Sequence, residues 1–203
     1  MRKFGITLIV VGLLAVLAGA GLYAYNAWDD NRAALASEQI GGALFAQIMP
    51  IALGSSIDSA GVALGTVADN GSNEAAPISY EGETYIGIIS LPTLRISLPI
   101  NSDWDYTKLK KSPCRYAGSV ADNDLVIAAH NYKRHFGNIS TLQAGDPVAF
   151  TDSAGIMHEY AVVEVTTVEP TQTWSVISGT FDLTLFTCTY GGQARWVVRC
   201  NRV

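Results

Sequence analysis

The chain has 203 residues, a formal net charge of −5 and an isoelectric point near 5.1. Its apolar share of 49% can fill the core of one ordinary domain and leave residues over for accessory segments. No basic field extends over the chain, so nucleic acid is excluded as the expected partner.

Residues 4–25, FGITLIVVGLLAVLAGAGLYAY, carry no charge. At 1.5 Å rise per residue, a helix of that length crosses a hydrocarbon layer of roughly 30 Å. Arg2 and Lys3 precede it, and Asp29 and Asp30 follow. The positive-inside rule then keeps the short N-terminus in the cytoplasm and sends the remainder out. A cleaved signal peptide is the rival reading, with Ala18-Gly19-Ala20 as a passable cleavage site. The apolar run is long for a signal peptide and continues past that site, which favours an uncleaved anchor over residues 1–28. Residues 31–51 space Leu35, Ile40, Leu44, Phe45 and Ile48 as a juxtamembrane helix would, interrupted at Gly41-Gly42 and ending near Pro50. Residues 54–79 are rich in Gly, Ser, Ala, Asn and Asp and read as a flexible tether, so that residues 29–79 join the anchor to a domain over residues 80–203.

Beyond Tyr80, short β-prone runs recur: YIGIIS at 85–90, LRISLPI at 94–100, DLVIAAH at 124–130, PVAFT at 147–151, HEYAVVEVTTV at 158–168, DLTLFTC at 182–188 and RWVVRC at 195–200. Turn residues such as Pro92, Gly118, Gly145-Asp146 and Gly191-Gly192 separate them. Seven or eight short strands with little helix predict a barrel or sandwich. The stretch from Gly145 to Val163 predicts a hairpin that turns over residues 152–155.

Export matters for the three cysteines, Cys114, Cys188 and Cys200. Thiols outside the cell tend to pair, and an odd number leaves at least one free or paired with another chain. Cys114 and Cys200 either bridge or stay as two separate buried thiols. Cys188 ends an apolar strand, where a side chain can leave the core. Strand alternation puts Leu183, Leu185 and Thr187 on one face and Thr184, Phe186 and Cys188 on the other. If Gly191-Gly192 turn the chain back, Arg195 starts the neighbouring strand and lies near the thiol. His130 is likewise a polar tip on an apolar strand. A thiol, an imidazole and a guanidinium delivered from strand ends supply a nucleophile, a proton carrier and a stabiliser of negative charge. Each also has a plain reading as a core cysteine, a satisfied histidine or a solvated edge arginine. Metal binding is not expected: His130 and His135 are five apart, His158 is distant and no C-x-x-C occurs.

The stretch Thr184-Leu185-Phe186-Thr187-Cys188 fits the T-L-x-T-C signature of sortases. The segment AAHN around His130 resembles their general acid/base segment, RWVVRC resembles their last strand, and ISLPTLRISLPI resembles an early strand pair. The similarity covers roughly residues 82–203. It implies an eight-stranded sortase-type β-barrel with short helices, preceded by a transmembrane helix. It also implies a cysteine transpeptidase without a cofactor, carried in the cell membrane by a single span with its catalytic domain outside. Such an enzyme cleaves an LPxTG-like sorting signal near the C-terminus of an exported protein through a thioester. It then passes the protein to an amine of a cell-wall precursor or a pilin. Carried over residue by residue, Cys188 matches the nucleophile, His130 the general acid/base and Arg195 the arginine that holds substrate and oxyanion. Arg199 is the reserve arginine, and Thr187 matches the threonine expected beside the bound signal. Two other functions remain open at this point: an exported β-domain that binds peptide or cell-wall components without catalysis, and a cysteine protease that uses water as acceptor.

Overall fold

A computed structural model describes residues 2–52, 74–172, 174–177 and 180–203. Most of the expected tether, residues 54–73, lies outside the described residues. The first element is one helix, α1 (Arg2–Ala52), which runs through residues 28–29 and through Gly41-Gly42 without a break. Its first part is apolar and exposed, with an 18-residue stretch of mean hydropathy 2.4 that is long enough to cross a membrane. Its second part is amphipathic. Ala33, Ser37, Ile40, Leu44 and Ile48 fall at three- and four-residue intervals on one face, and all are buried. Each glycine costs a helix roughly 1 kcal/mol relative to alanine. Packing of Ile40, Leu44 and Ile48 against Tyr85 and Ile88 of the β domain outweighs that cost.

Nine strands follow: β1 (Ile78–Tyr80), β2 (Glu83–Leu91), β3 (Ile96–Asn101), β4 (Cys114–Ala117), β5 (Leu125–Ala128), β6 (Pro147–Asp152), β7 (Met157–Val168), β8 (Leu183–Cys188) and β9 (Arg195–Arg202). A single helical turn, α2 (Trp174–Ile177), precedes β8. Eight of the strands close a barrel in the order β2-β3-β4-β5-β8-β9-β7-β6, and β2 pairs with β6 to complete the ring. Closure leaves no long unpaired edge, which is how small antiparallel domains avoid edge-to-edge association. The short β1 adds to the first part of β2, ahead of the segment that meets β6. At the closing seam Gly87 has φ +152°, and a Cβ there would run into the backbone of Thr151 and Asp152. Only glycine lets β2 and β6 approach at that point.

All seven β-prone runs form strands, and the expected hairpin is β6–β7, closed by Gly155 N–H donating to Asp152 O. Inside the barrel, Ile89, Ile100, Leu125, Ile127, Leu183 and Leu185 are fully buried. On the outer face of β8 and β9, Phe186 and Val197 are covered by Val176 of α2 and Tyr116 of β4. Cys114 and Cys200 lie in different clusters, Cys200 inside the barrel and Cys114 beside Leu109 and Ala128. All three thiols are free, so the arrangement is the one with two separate buried thiols rather than a bridge.

His135 sits under α1 with no exposed surface. Ser37 donates its hydroxyl proton to Lys111 O at 2.6 Å, so it must accept from His135 Nε2 at 2.9 Å. The ring therefore carries a proton on Nε2, and burial, which disfavours the charged form, pushes its pKa from 6.5 down to about 4.

Two expectations follow for stability. Leu44→Ala should cost about 2–4 kcal/mol because it opens a cavity between α1 and the barrel; chemical denaturation of the chain in detergent measures this. In the second, a histidine with a depressed native pKa takes up its proton first in the unfolded state. Stability carried by neutral His135 is therefore complete above pH 6.5 and is lost as pH falls toward 4, by a few kcal/mol in all. Unfolding free energies across that range should slope less steeply in His135→Gln than in the wild type.

Candidate active site

Three strand ends meet at one end of the barrel. Strands β5 and β8 run parallel, with Ala128 level with Phe186. Ala129 N–H continues the pairing by donating to Phe186 O at 3.1 Å. Extending that register by two residues puts His130 level with Cys188. Strand β9 runs antiparallel to β8 and pairs Cys188 with Arg195 directly. The three residues, 58 or more positions apart on one side and seven on the other, thus come from adjacent strands β5, β8 and β9. All three are half-buried, as side chains at the rim of a barrel should be.

Thr187 points the other way. It is 2% exposed, and its hydroxyl donates to Ala129 O at 2.8 Å across the β5–β8 boundary. In this position it ties together the two strand ends that carry His130 and Cys188. The two arginines share a face of β9 and are separated along the strand. Arg195 stands opposite Cys188 and donates to the carbonyls of Gly192 and Ala194, while Arg199 stands opposite Thr184, two pleat repeats further along. Arg199 is also committed elsewhere: it pairs with Glu164, donates to Ser175 O at 3.0 Å and lies over the Phe181 ring. The register therefore sets Arg195 level with Cys188 and Arg199 further along the same face.

His130 lies between two tyrosine rings, Tyr106 at 5.6 Å and Tyr132 at 5.0 Å between centroids. Its Nε2 is buried and has no hydrogen-bond partner among the described residues. Burial is the largest influence on its pKa and lowers it; the Asp29 carboxylate raises it, and Lys110 lowers it again. The net direction is downward from 6.5, so the imidazole is neutral and able to accept a proton at neutral pH. A cavity of about 260 Å³ opens between α1 and the loops that follow β5 and β8, with Asp29, Tyr132 and Tyr190 on its walls. No group of three or more His, Cys, Asp or Glu that could hold a metal occurs among the described residues.

Asp29, Tyr106 and Tyr132 were not legible as parts of this site. Asp29 read only as a charge ending the apolar run, and the two tyrosines lie in loops without periodicity. The one available signal was the position of Tyr132 two residues after His130.

A closed eight-stranded barrel that presents a cysteine, a histidine and an arginine on three neighbouring strand ends defines the class to which this chain belongs. The sortase domain family matches residues 89–203, more than half the chain. The chain is a member of the sortase family. It is 29% identical over 126 residues to Sortase A of Bacillus anthracis, a match that spans 57% of each protein. Among solved structures, Sortase A from Corynebacterium diphtheriae is similar at 27% identity with a TM-score of 0.52, covering 60% of this chain and 61% of that one. Sortase C1 from Streptococcus agalactiae is similar at 25% identity with a TM-score of 0.53, covering 62% and 70%. The chain thus spans somewhat under two thirds of the length of the first two relatives.

The three thiols should separate chemically. Burial pushes Cys114 and Cys200 up to about 12, leaving them almost without thiolate, and both have no exposed surface. Iodoacetamide under native conditions should add one carbamidomethyl group, at Cys188, and three after unfolding; intact-mass spectrometry counts them.

Proposed function

We propose that this chain is a membrane-anchored cysteine transpeptidase acting on sorting signals of exported proteins. The observation that carries the reading is the register that sets Arg195 opposite Cys188 and His130 level with it, in a domain of the sortase family. Cys188 attacks the carbonyl carbon of the signal's scissile peptide, and the thiol proton passes to His130. Negative charge gathers on the carbonyl oxygen, where the Arg195 guanidinium stabilises it without giving up a proton. Collapse of the tetrahedral species breaks the C–N bond, and His130 returns its proton to the departing amine. The thioester that remains is attacked by an amine, the thiol is released and a new amide forms. A thioester suits this exchange because it stays open to amine attack after the first product has left.

In this reading α1 fixes the enzyme in the cell membrane with the barrel on the outer side, as the charge asymmetry around residues 4–25 favours. The donor is an LPxTG-like peptide, and the acceptor is an amine of a cell-wall precursor or a pilin. Thr187 supports the reading as a tie between the two catalytic strand ends rather than through a surface of its own.

The test uses the full chain in detergent with a peptide containing Leu-Pro-x-Thr-Gly, with and without an added amine. Cys188→Ala should form no acyl-enzyme. His130→Ala should lose about 10²–10⁴-fold in turnover, and Arg195→Ala about 10²–10³-fold. Arg199→Ala, which loses an outer-wall ion pair, should stay within a few-fold. Amide product that grows with amine concentration identifies transpeptidation; hydrolysis alone, unchanged by amine, identifies a protease.

A further inference from the structure

The loop after His130 is held by the anchor helix. Four consecutive loop residues each bond to α1. Tyr132 donates its hydroxyl to Asp29 Oδ2 at 2.6 Å, and Lys133 N–H donates to Asp30 Oδ1 at 2.8 Å. Arg134 pairs with Glu38, and His135 Nε2 meets Ser37 Oγ at 2.9 Å. The loop then closes on itself, with Phe136 N–H donating to His130 O and Gly137 N–H to Tyr132 O. Gly137 has no room for a side chain: a Cβ would stand 2.6 Å from Asn131 O and 2.7 Å from Tyr132 O. A loop this tight passes the position of its fastened residues back to His130.

The fastening nearest the imidazole is Asp29–Tyr132. The carboxylate takes the phenol proton on Oδ2 and the Arg32 guanidinium on Oδ1 at 2.8 Å, so both oxygens are engaged. A hydrogen bond from a hydroxyl to a carboxylate is among the stronger kinds. It fixes the Tyr132 ring, which lies against His130 on one side; the ring on the other side, Tyr106, is 61% exposed. Asp29 is also only four residues past the end of the apolar run at Tyr25, a rise of about 6 Å. The contact that steadies the imidazole therefore lies just outside the membrane surface.

We propose that Asp29 of the anchor helix is a positioning residue for His130, acting through Tyr132, so that the anchor is part of the active site as well as its attachment. The inference rests on the reading of His130 as the proton-transfer group. The other charged or titratable groups close to His130 are Lys110, Tyr106, Tyr132 and His135, and Cys188 and Arg195 lie at the adjoining strand ends. Asp29 is the carboxylate that opposes the effect of burial on the imidazole.

The experiment uses the full chain in detergent with three substitutions, Asp29→Asn, Asp29→Glu and Tyr132→Phe. The first readout is the His130 ring titration by NMR in a Cys188→Ala background; the chain has only three histidines, so the signals are assignable. The second is the pH dependence of Cys188 alkylation by iodoacetamide. The third is kcat and KM with the Leu-Pro-x-Thr-Gly peptide. Asp29→Asn should move the His130 midpoint to lower pH and shift the alkylation profile. Both Asp29→Asn and Tyr132→Phe should lower kcat about 10-fold or more with KM within about twofold, as loss of alignment does. Asp29→Glu should recover part of the loss. Melting temperatures identify any variant that fails to fold, and Tyr132→Phe, which keeps the ring and the charge of Asp29, then carries the decision. Wild-type titration, alkylation and kcat in folded Asp29→Asn and Tyr132→Phe overturn the proposal while leaving the role of His130 intact. Wild-type turnover in His130→Ala instead overturns the reading on which it rests.

Discussion

The parallel pairing of β5 with β8 is the constraint on which the rest of the site depends. These strands are distant in sequence, and no hairpin could join them. Their register is fixed by buried side chains on both faces: Leu125 and Ile127 with Leu183 and Leu185 inside the barrel, Val126 and Ala128 with Phe186 outside it. A slip of one residue would send every one of these to the wrong face. The hydroxyl of Thr187 on Ala129 O pins the last step of the same register. An apolar pattern chosen for packing thus also sets how far His130 stands from Cys188.

The two partners of β8 act differently. Strand β9 is tied to β8 by a short connection, and its Arg195 reaches Cys188 by hairpin geometry alone. Strand β5 delivers His130 through a long-range contact, then leaves the sheet in a loop whose Phe136 and Ile139 are buried in the barrel core. That loop is fastened to α1, whose own place is set by Ile40, Leu44 and Ile48 packing on Tyr85 and Ile88. Cys188 and Arg195 belong to the barrel wall; the His130 imidazole sits where wall and anchor helix meet. Conformational steadiness of the proposed site is therefore shared between the closed sheet and the helix that leads to the membrane.

Charge distribution around the imidazole follows the same division. The barrel contributes burial, which favours the neutral ring, and α1 contributes the Asp29 carboxylate, which favours the charged one. A proton carrier needs access to both forms, and here the opposing influences come from two separate elements. His135, five residues on, is more deeply buried, with a backbone hydrogen bond to Ala33 as its opposing influence, and its pKa falls to about 4.

The sequence by itself determined the local parts. Alternation and turn residues marked seven strands, the uncharged run at residues 4–25 marked the helix able to span a membrane, and the inward and outward faces of β8 and β9 could be counted from residue to residue. Local periodicity suffices there because each element buries one face against whatever lies beside it. Strand β4 (Cys114–Ala117) and strand β1 (Ile78–Tyr80) escaped because three or four residues carry no readable period, and they exist only through pairing with β5 and β2. The helix passes through Gly41-Gly42 because packing on the barrel overrides local propensity. Only the tertiary structure decided that Arg199 is taken up by Glu164 and Ser175, that the Thr187 hydroxyl bonds Ala129 O to tie the strand ends, and that Asp29 bonds Tyr132. Those outcomes depend on the register between strands and on the docking of a helix about a hundred residues away, and neither leaves a trace in the neighbouring sequence.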